Sequence, residues 1–156
     1  MKKKAGWPIL FLSGLLGTDS LGMEVGFMIA GDRMTKNPVT VSPRDTLAVA
    51  QEKMRAGEFR QIPVVDHGRL VGILTDRDIR KYGRHNIVAS VQSAMTEGAI
   101  TATPATPLEE VAQILLRHKI GALPVVEKEE LVGIISTTDI LQAFVDLVAA
   151  HNLKAR

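Results

Sequence analysis

At 156 residues the chain suffices for one compact domain or two small ones sharing a core, and its apolar content is 46% with aromatics at only 4%. So few rings argue against a base-stacking nucleic-acid platform and leave the interior to Val, Ile, Leu, Ala and Met. The 19 basic and 17 acidic residues are interspersed, for a net charge of +2, and without Lys2, Lys3 and Lys4 the remainder is about neutral, so no nucleic-acid partner is expected. The absence of cysteine excludes disulfides, thiolate metal sites and a cysteine nucleophile.

Residues 1–30 read differently from the rest. Lys2–Lys4 precede an apolar stretch from Trp7 to Leu16, interrupted by Pro8, Ser13 and Gly14, which has the general form of a secretory signal. No strong small-residue cleavage site follows. The stretch is also well short of the roughly 20 residues that cross a bilayer, so no membrane span is expected. Three readings stay open: sequence upstream of a true start at Met23 or Met28, a genuine extension, or an export signal. The composition suits a cytoplasmic protein, with export as the alternative.

From about residue 34 the chain repeats itself. A shift of 61 residues, from 34 to 95, lays Met34-Thr35 on Met95-Thr96, Thr40 on Thr101, Pro43 on Pro104 and Leu47 on Leu108. The same shift lays Pro63-Val64-Val65 on Pro124-Val125-Val126, Leu70-Val71-Gly72-Ile73 on Leu131-Val132-Gly133-Ile134, and Asp78-Ile79 on Asp139-Ile140, without a gap. The expected organisation is an N-terminal extension (1–30), a first repeat (31–88), a second repeat (89–150) and a tail (151–156).

Each copy predicts the same elements. Val39–Val41 and Ile100–Ala102 read as short extended segments, each stopped by the Pro at 43 or 104. Helices are expected over Thr46–Ala56 and Pro107–His118, with Leu47, Ala50 and Met54 on one face, and Leu108, Val111 and Leu115 on the other copy's equivalent. Hairpins follow, Ile62–Val65 with Leu70–Leu74 and Leu123–Val126 with Leu131–Ile135, turning through polar residues. Thr75 and Ser136 stand where strand gives way to helix, as N-caps. The last helix, Thr137 to about Val148, carries an apolar stripe of Leu141, Phe144, Val145 and Val148, expected to pack on the other repeat or on a second subunit. A single copy of about 60 residues is marginal alone, so the two should share their cores.

The chemistry sits in Thr75-Asp76-Arg77-Asp78 and Ser136-Thr137-Thr138-Asp139. A strand delivers a hydroxyl and, three residues on, a carboxylate into the first turn of a helix. Such a carboxylate can accept both hydroxyls of a ribose, while the hydroxyl and the free N–H groups of the helix start can meet anionic oxygens. The competing reading is a simple capping motif. Arg77, Arg80, Lys81 and Arg84 form a basic cluster, read as a solvated helix face or as charge that neutralises phosphates. His67, His85, His118 and His151 fall in a turn, a linker, a helix end and the tail, with no metal-ligand spacing, so no metal site is expected. No Gly-rich nucleotide loop or nucleophile elbow is present. No catalytic residue is expected.

These motifs resemble a tandem cystathionine-β-synthase (CBS) domain pair, or Bateman module. The match rests on Met34-Thr35, Ile62-Pro63-Val64-Val65-Asp66 and Val71-Gly72-Ile73-Leu74-Thr75-Asp76-Arg77-Asp78-Ile79. It recurs in Leu123-Pro124-Val125-Val126 and Val132-Gly133-Ile134-Ile135-Ser136-Thr137-Thr138-Asp139-Ile140. The resemblance covers about residues 32–148. It implies an α/β (α+β) fold of two β-α-β-β-α repeats about a pseudo-twofold axis, with two clefts that take adenosine-containing ligands such as AMP, ADP, ATP, S-adenosylmethionine or NAD. One cleft would join Thr75, Arg77 and Asp78 to Thr96, Ala99 and Ile100. The other would join Ser136, Thr138 and Asp139 to Thr35, Pro38 and Val39. Arg60, at a position where related modules often place a phosphate contact, is assigned to the Asp78 cleft, and Gly121 is its neutral counterpart. The resemblance further implies a regulatory homodimer with no required cofactor that signals to an unidentified protein. The alternative is a dimerising scaffold without ligand.

Overall fold

The computed structural model describes residues 28–82 and 88–154, and is a mixed α+β structure built on one largely antiparallel sheet. The open readings of residues 1–27, and Arg84 and His85, lie outside the described residues. In chain order the elements are α1 (Ala30–Arg33), β1 (Thr35–Lys36), α2 (Leu47–Ala56), β2 (Gln61–Asp66), β3 (Arg69–Thr75) and α3 (Asp76–Tyr82). A 3₁₀ turn (Val91–Ser93) leads to β4 (Thr96–Glu97), α4 (Leu108–His118), β5 (Ala122–Glu127), β6 (Glu130–Ser136) and α5 (Thr137–Lys154).

Each repeat contributes a helix, a hairpin and a second helix. The hairpins share one irregularity, a register shift between Val64 and Val65 in β2 and between Val125 and Val126 in β5. Both turn through two residues of positive φ, His67-Gly68 and Lys128-Glu129, the backbone that matches strand twist in a tight hairpin. α2 begins one residue after Thr46, whose hydroxyl accepts the Val49 N–H at 3.3 Å. α4 begins one residue after Pro107. The expected inward faces hold: Leu47, Ala50 and Met54, and Leu108, Val111 and Leu115, are all buried.

The segments that lead into each repeat are exchanged. β1 pairs with β6 of the second repeat, Thr35 opposite Ile134, and β4 pairs with β3 of the first, Thr96 opposite Ile73. The exchange explains the repeated Val-Gly-Ile. A side-chain carbon at Gly72 would come within 2.6 Å of the Thr96 carbonyl oxygen, and one at Gly133 would run into Met34. β3 and β6 pair with each other at a single register position, Arg69 opposite Glu130, so the sheet is two three-stranded halves joined at their hairpin ends.

The cores are interlocked in the same way. The first gathers Leu47, Met54, Ile62 and Leu74 with Val91, while the second gathers Val111, Leu123 and Ile135 with Ala30. Matching backbone bonds tie the segments down. The Leu108 N–H donates to the Met28 carbonyl at 3.0 Å, and that of Leu47 to the Ala89 carbonyl at 2.9 Å. Arg33 pairs with Asp146 of α5 at 2.5 Å; hydrogen bonds from Gln142 and from Arg33 hold the Asp146 carboxyl below its ordinary value.

Two expectations are corrected and a third is narrowed. Val39–Val41 and Ile100–Ala102 are not strands; each makes one parallel bridge, Val41 to Val64 and Ala102 to Val125. The paired residues lie earlier, because positive φ at Asn37 and Gly98 turns the chain off the sheet after two residues. The last helix runs to Lys154, so residues 151–154 continue α5 rather than forming a tail. Leu141, Phe144, Val145 and Val148 of its stripe are 64%, 62%, 56% and 40% exposed, so of the two coverings expected for it, the other repeat or a second subunit, the second subunit is left.

Candidate functional site

The hydroxyl–carboxylate pairs are locked into place by the local backbone. Thr75 ends β3, and its N–H and hydroxyl both donate to Asp78 Oδ2, at 3.1 and 2.6 Å, while the Asp78 N–H donates back to Thr75 Oγ1 at 3.2 Å. Ser136 and Asp139 reproduce the arrangement at 2.7, 2.7 and 3.4 Å. This is a reciprocal cap that satisfies donors otherwise orphaned at a helix start. It leaves the second carboxylate oxygen of each Asp outside the cap. On Asp78 that oxygen meets Lys81 Nζ at 3.2 Å; position 142, the equivalent in the second repeat, is Gln142, which bonds Asp146 instead.

Because the lead-in strands are exchanged, each capped carboxylate faces the other repeat across a cavity. One cavity, of about 610 Å³, brings Thr75, Arg77 and Asp78 together with Thr96, Ala99 and Ile100. The other, of about 750 Å³, brings Ser136, Thr138 and Asp139 together with Thr35, Pro38 and Val39. Both volumes fall in the range of roughly 300–1,000 Å³ usual for small-ligand pockets. Val39 and Ile100 are 49% and 39% exposed, apolar walls left over from the extended segments that stay off the sheet.

Arg60 is not confined to the cavity of its assignment. It lines both cavities, as do Gln61, Gly121 and Ala122, because β2 and β5 start where the cavities abut. Two charged lining residues were missed, Glu58 in the Asp139 cavity and Lys119 in the Asp78 cavity. Both sit just past a helix in a left-handed backbone conformation, φ 54°, and the repeat shift lays one on the other. Reading that pair for charge as well as identity would have found them.

The two cavities are thereby electrostatically unlike. In the Asp78 cavity Arg80 is paired with Asp76 and Lys81 with Asp78, each at 3.2 Å. Arg60, Arg77 and Lys119 have no ion-pair partner among the described residues. Among the described residues that line the Asp139 cavity Arg60 is the single cation, set against Glu58 and Asp139. No group of three or more potential metal-ligating His, Asp or Glu occurs among the described residues, and His67, His118 and His151 are exposed. No described helix is long and apolar enough to cross a membrane.

Comparison with known proteins places this arrangement. The CBS domain family model matches residues 30–85 and 88–146. The CBS domain-containing protein YhcV of Bacillus subtilis is 36% identical over 113 residues, 70% of this chain and 80% of that protein. An inosine-5'-monophosphate dehydrogenase from Korarchaeum cryptofilum is 37% identical over 106 residues, 67% of this chain but only 22% of the dehydrogenase. Among solved structures, AcuB from Vibrio cholerae superposes with TM-score 0.73 at 31% identity, covering 81% of this chain and 96% of its own. The CBS domain pair of protein MJ0100, in complex with 5'-methylthioadenosine and S-adenosyl-L-methionine, gives TM-score 0.72 at 29% identity, covering 77% and 98%. CBSX2 of Arabidopsis thaliana, in complex with AMP, gives 0.68 at 27%, covering 76% and 97%. The chain belongs to the CBS domain family and consists, over its described residues, of two CBS domains in tandem.

Proposed function

We propose that the protein is a regulatory module that binds an adenosine-containing ligand in the clefts between its two CBS domains and passes the resulting change of shape to a partner protein. The observation that carries the reading is the pair of equivalent cavities, each setting a capped carboxylate of one domain against the lead-in strand of the other. The oxygens of Asp78 and Asp139 left outside the caps suit ribose hydroxyls. The apolar walls at Ala99 and Ile100, and at Pro38 and Val39, suit the adenine face. The ligands of MJ0100 and CBSX2 support the adenosyl class.

Charge sorts the clefts. A phosphate-bearing ligand favours the Asp78 cavity, where Arg77 and Lys119 stand beside Arg60. Each charge-assisted contact contributes about 1.5–3 kcal/mol. The module acts by binding rather than by catalysis, needs no cofactor, and works in the cytoplasm, a reading favoured by its cysteine-free composition. The exposed stripe on α5 favours a homodimer, through which ligand-driven tilting would reach the regulated protein.

The experiment is thermal unfolding of the full chain with AMP, ADP, ATP, NADH and S-adenosylmethionine. A ligand at about 100 times its dissociation constant adds roughly 2.7 kcal/mol and raises the midpoint. No shift with any of the five, together with a stable dimer, favours the second reading, a dimerising scaffold whose clefts are not used.

A further inference from the structure

Arg60 and Gly121 are equivalent under the internal repeat, and both stand on the wall between the two cavities. Their backbones are fixed alike: the Arg60 carbonyl accepts the Asp76 N–H at 2.9 Å, and the Gly121 carbonyl accepts the Thr137 N–H at 3.0 Å. Their side chains differ completely. The wall carries one guanidinium where strict symmetry would supply two, and that side chain is exposed with no hydrogen-bond or ion-pair partner among the described residues. The cavities depend on it unequally. The Asp78 cavity keeps Arg77 and Lys119 whichever way Arg60 turns, whereas the Asp139 cavity has no other cation to set against Glu58 and Asp139.

We infer that Arg60 is a single positive charge for which the two clefts compete, so that a phosphate-bearing ligand in the Asp78 cleft draws it away and weakens the Asp139 cleft for a second phosphate. The inference rests on the adenosyl-binding reading above. A guanidinium presents its donors as a planar fork, and a fork closed on one phosphate is turned from the other cavity. A phosphate entering the Asp139 cleft then meets Glu58 and Asp139 without compensation. A nucleoside without phosphate makes no demand on Arg60, so it fills both clefts independently. The pair of clefts therefore holds one phosphate ligand together with one uncharged or cationic ligand more readily than two phosphates.

Calorimetric titration of the full chain with AMP and with adenosine tests this, using wild type and the single-cleft variants Asp78→Asn and Asp139→Asn. The product of the two single-cleft AMP association constants should exceed the wild-type two-step constant by about tenfold or more, the scale of one charge-assisted contact. One AMP bound by wild type, with one bound by each variant, is the same result at its limit. With adenosine the product and the two-step constant should agree. Arg60→Gln should remove the discrepancy, and since the Arg60 side chain is exposed and unbonded, this variant keeps its fold; its two stepwise AMP constants should lie closer together than those of wild type even if an Asp variant unfolds. AMP constants that multiply without discrepancy, or a discrepancy that survives Arg60→Gln, overturns the inference while leaving adenosyl binding intact. Failure of both AMP and adenosine to bind overturns this inference, and the adenosyl reading falls with it only if ADP, ATP, NADH and S-adenosylmethionine give no thermal shift either.

Discussion

The carboxamide of Gln61 lies over Gly121, in the space that a side chain on that glycine would occupy. At this contact the first residue of β2 meets the residue just before β5, and both line the two clefts. The obstruction is the tip of a flexible side chain, so Gly121→Ala is expected to swing Gln61 aside at a cost below about 1 kcal/mol. Gly72→Ala is a different case, because it meets the backbone carbonyl of Thr96 at 2.6 Å. A strand must move, and the expected cost is about 1–3 kcal/mol. Urea unfolding of both variants checks the difference; equal costs would contradict it.

Ser136→Ala removes one side of the reciprocal cap at the start of α5. The Asp139 N–H loses its acceptor and Asp139 loses a donor. The expected destabilisation is about 0.5–2 kcal/mol. A denaturation midpoint unchanged from wild type would mean that the cap contributes nothing to the fold.

Converting the Asp78 cleft to the charge pattern of its counterpart calls for Arg77→Thr with Lys119→Glu. Both residues are exposed, so stability should hardly change. The preference for AMP over adenosine in that cleft should fall by more than about tenfold, and its sensitivity to salt should fall with it. Calorimetry at two ionic strengths reads both effects. An intact AMP preference would show that Arg77 and Lys119 do not meet the phosphate.

The interlocked cores predict that neither CBS domain folds alone. A chain of residues 28–88 lacks Val91, Ala94 and Met95, which close the first core, and its own Ala30 has no second core to enter. It should give no cooperative thermal transition by circular dichroism, whereas residues 28–154 should. A sharp transition from the short chain would disprove the interlocking.

Self-association through α5 predicts that Phe144→Glu weakens the dimer without unfolding the chain, since Phe144 is 62% exposed in the single chain. Sedimentation at several concentrations should show wild type as two chains and the variant shifted toward one. A wild type that sediments as a single chain at every concentration would remove the dimer from the functional reading.

Much of this protein is legible in its amino-acid sequence. The internal shift determines which residues correspond, helical spacing determines the faces that Leu47, Ala50 and Met54 bury, and a hydroxyl three residues before a carboxylate determines the cap. These are local properties, set by backbone periodicity and by hydrogen bonds between near neighbours. Tertiary structure alone decided the exchange of β1 and β4, since two-residue strands carry no periodicity and their partners are selected by the approach that Gly72 and Gly133 permit. It also decided the place of Arg60. A side chain at the junction of two strands from different repeats faces whatever the packing of those repeats leaves open, and here that is both clefts.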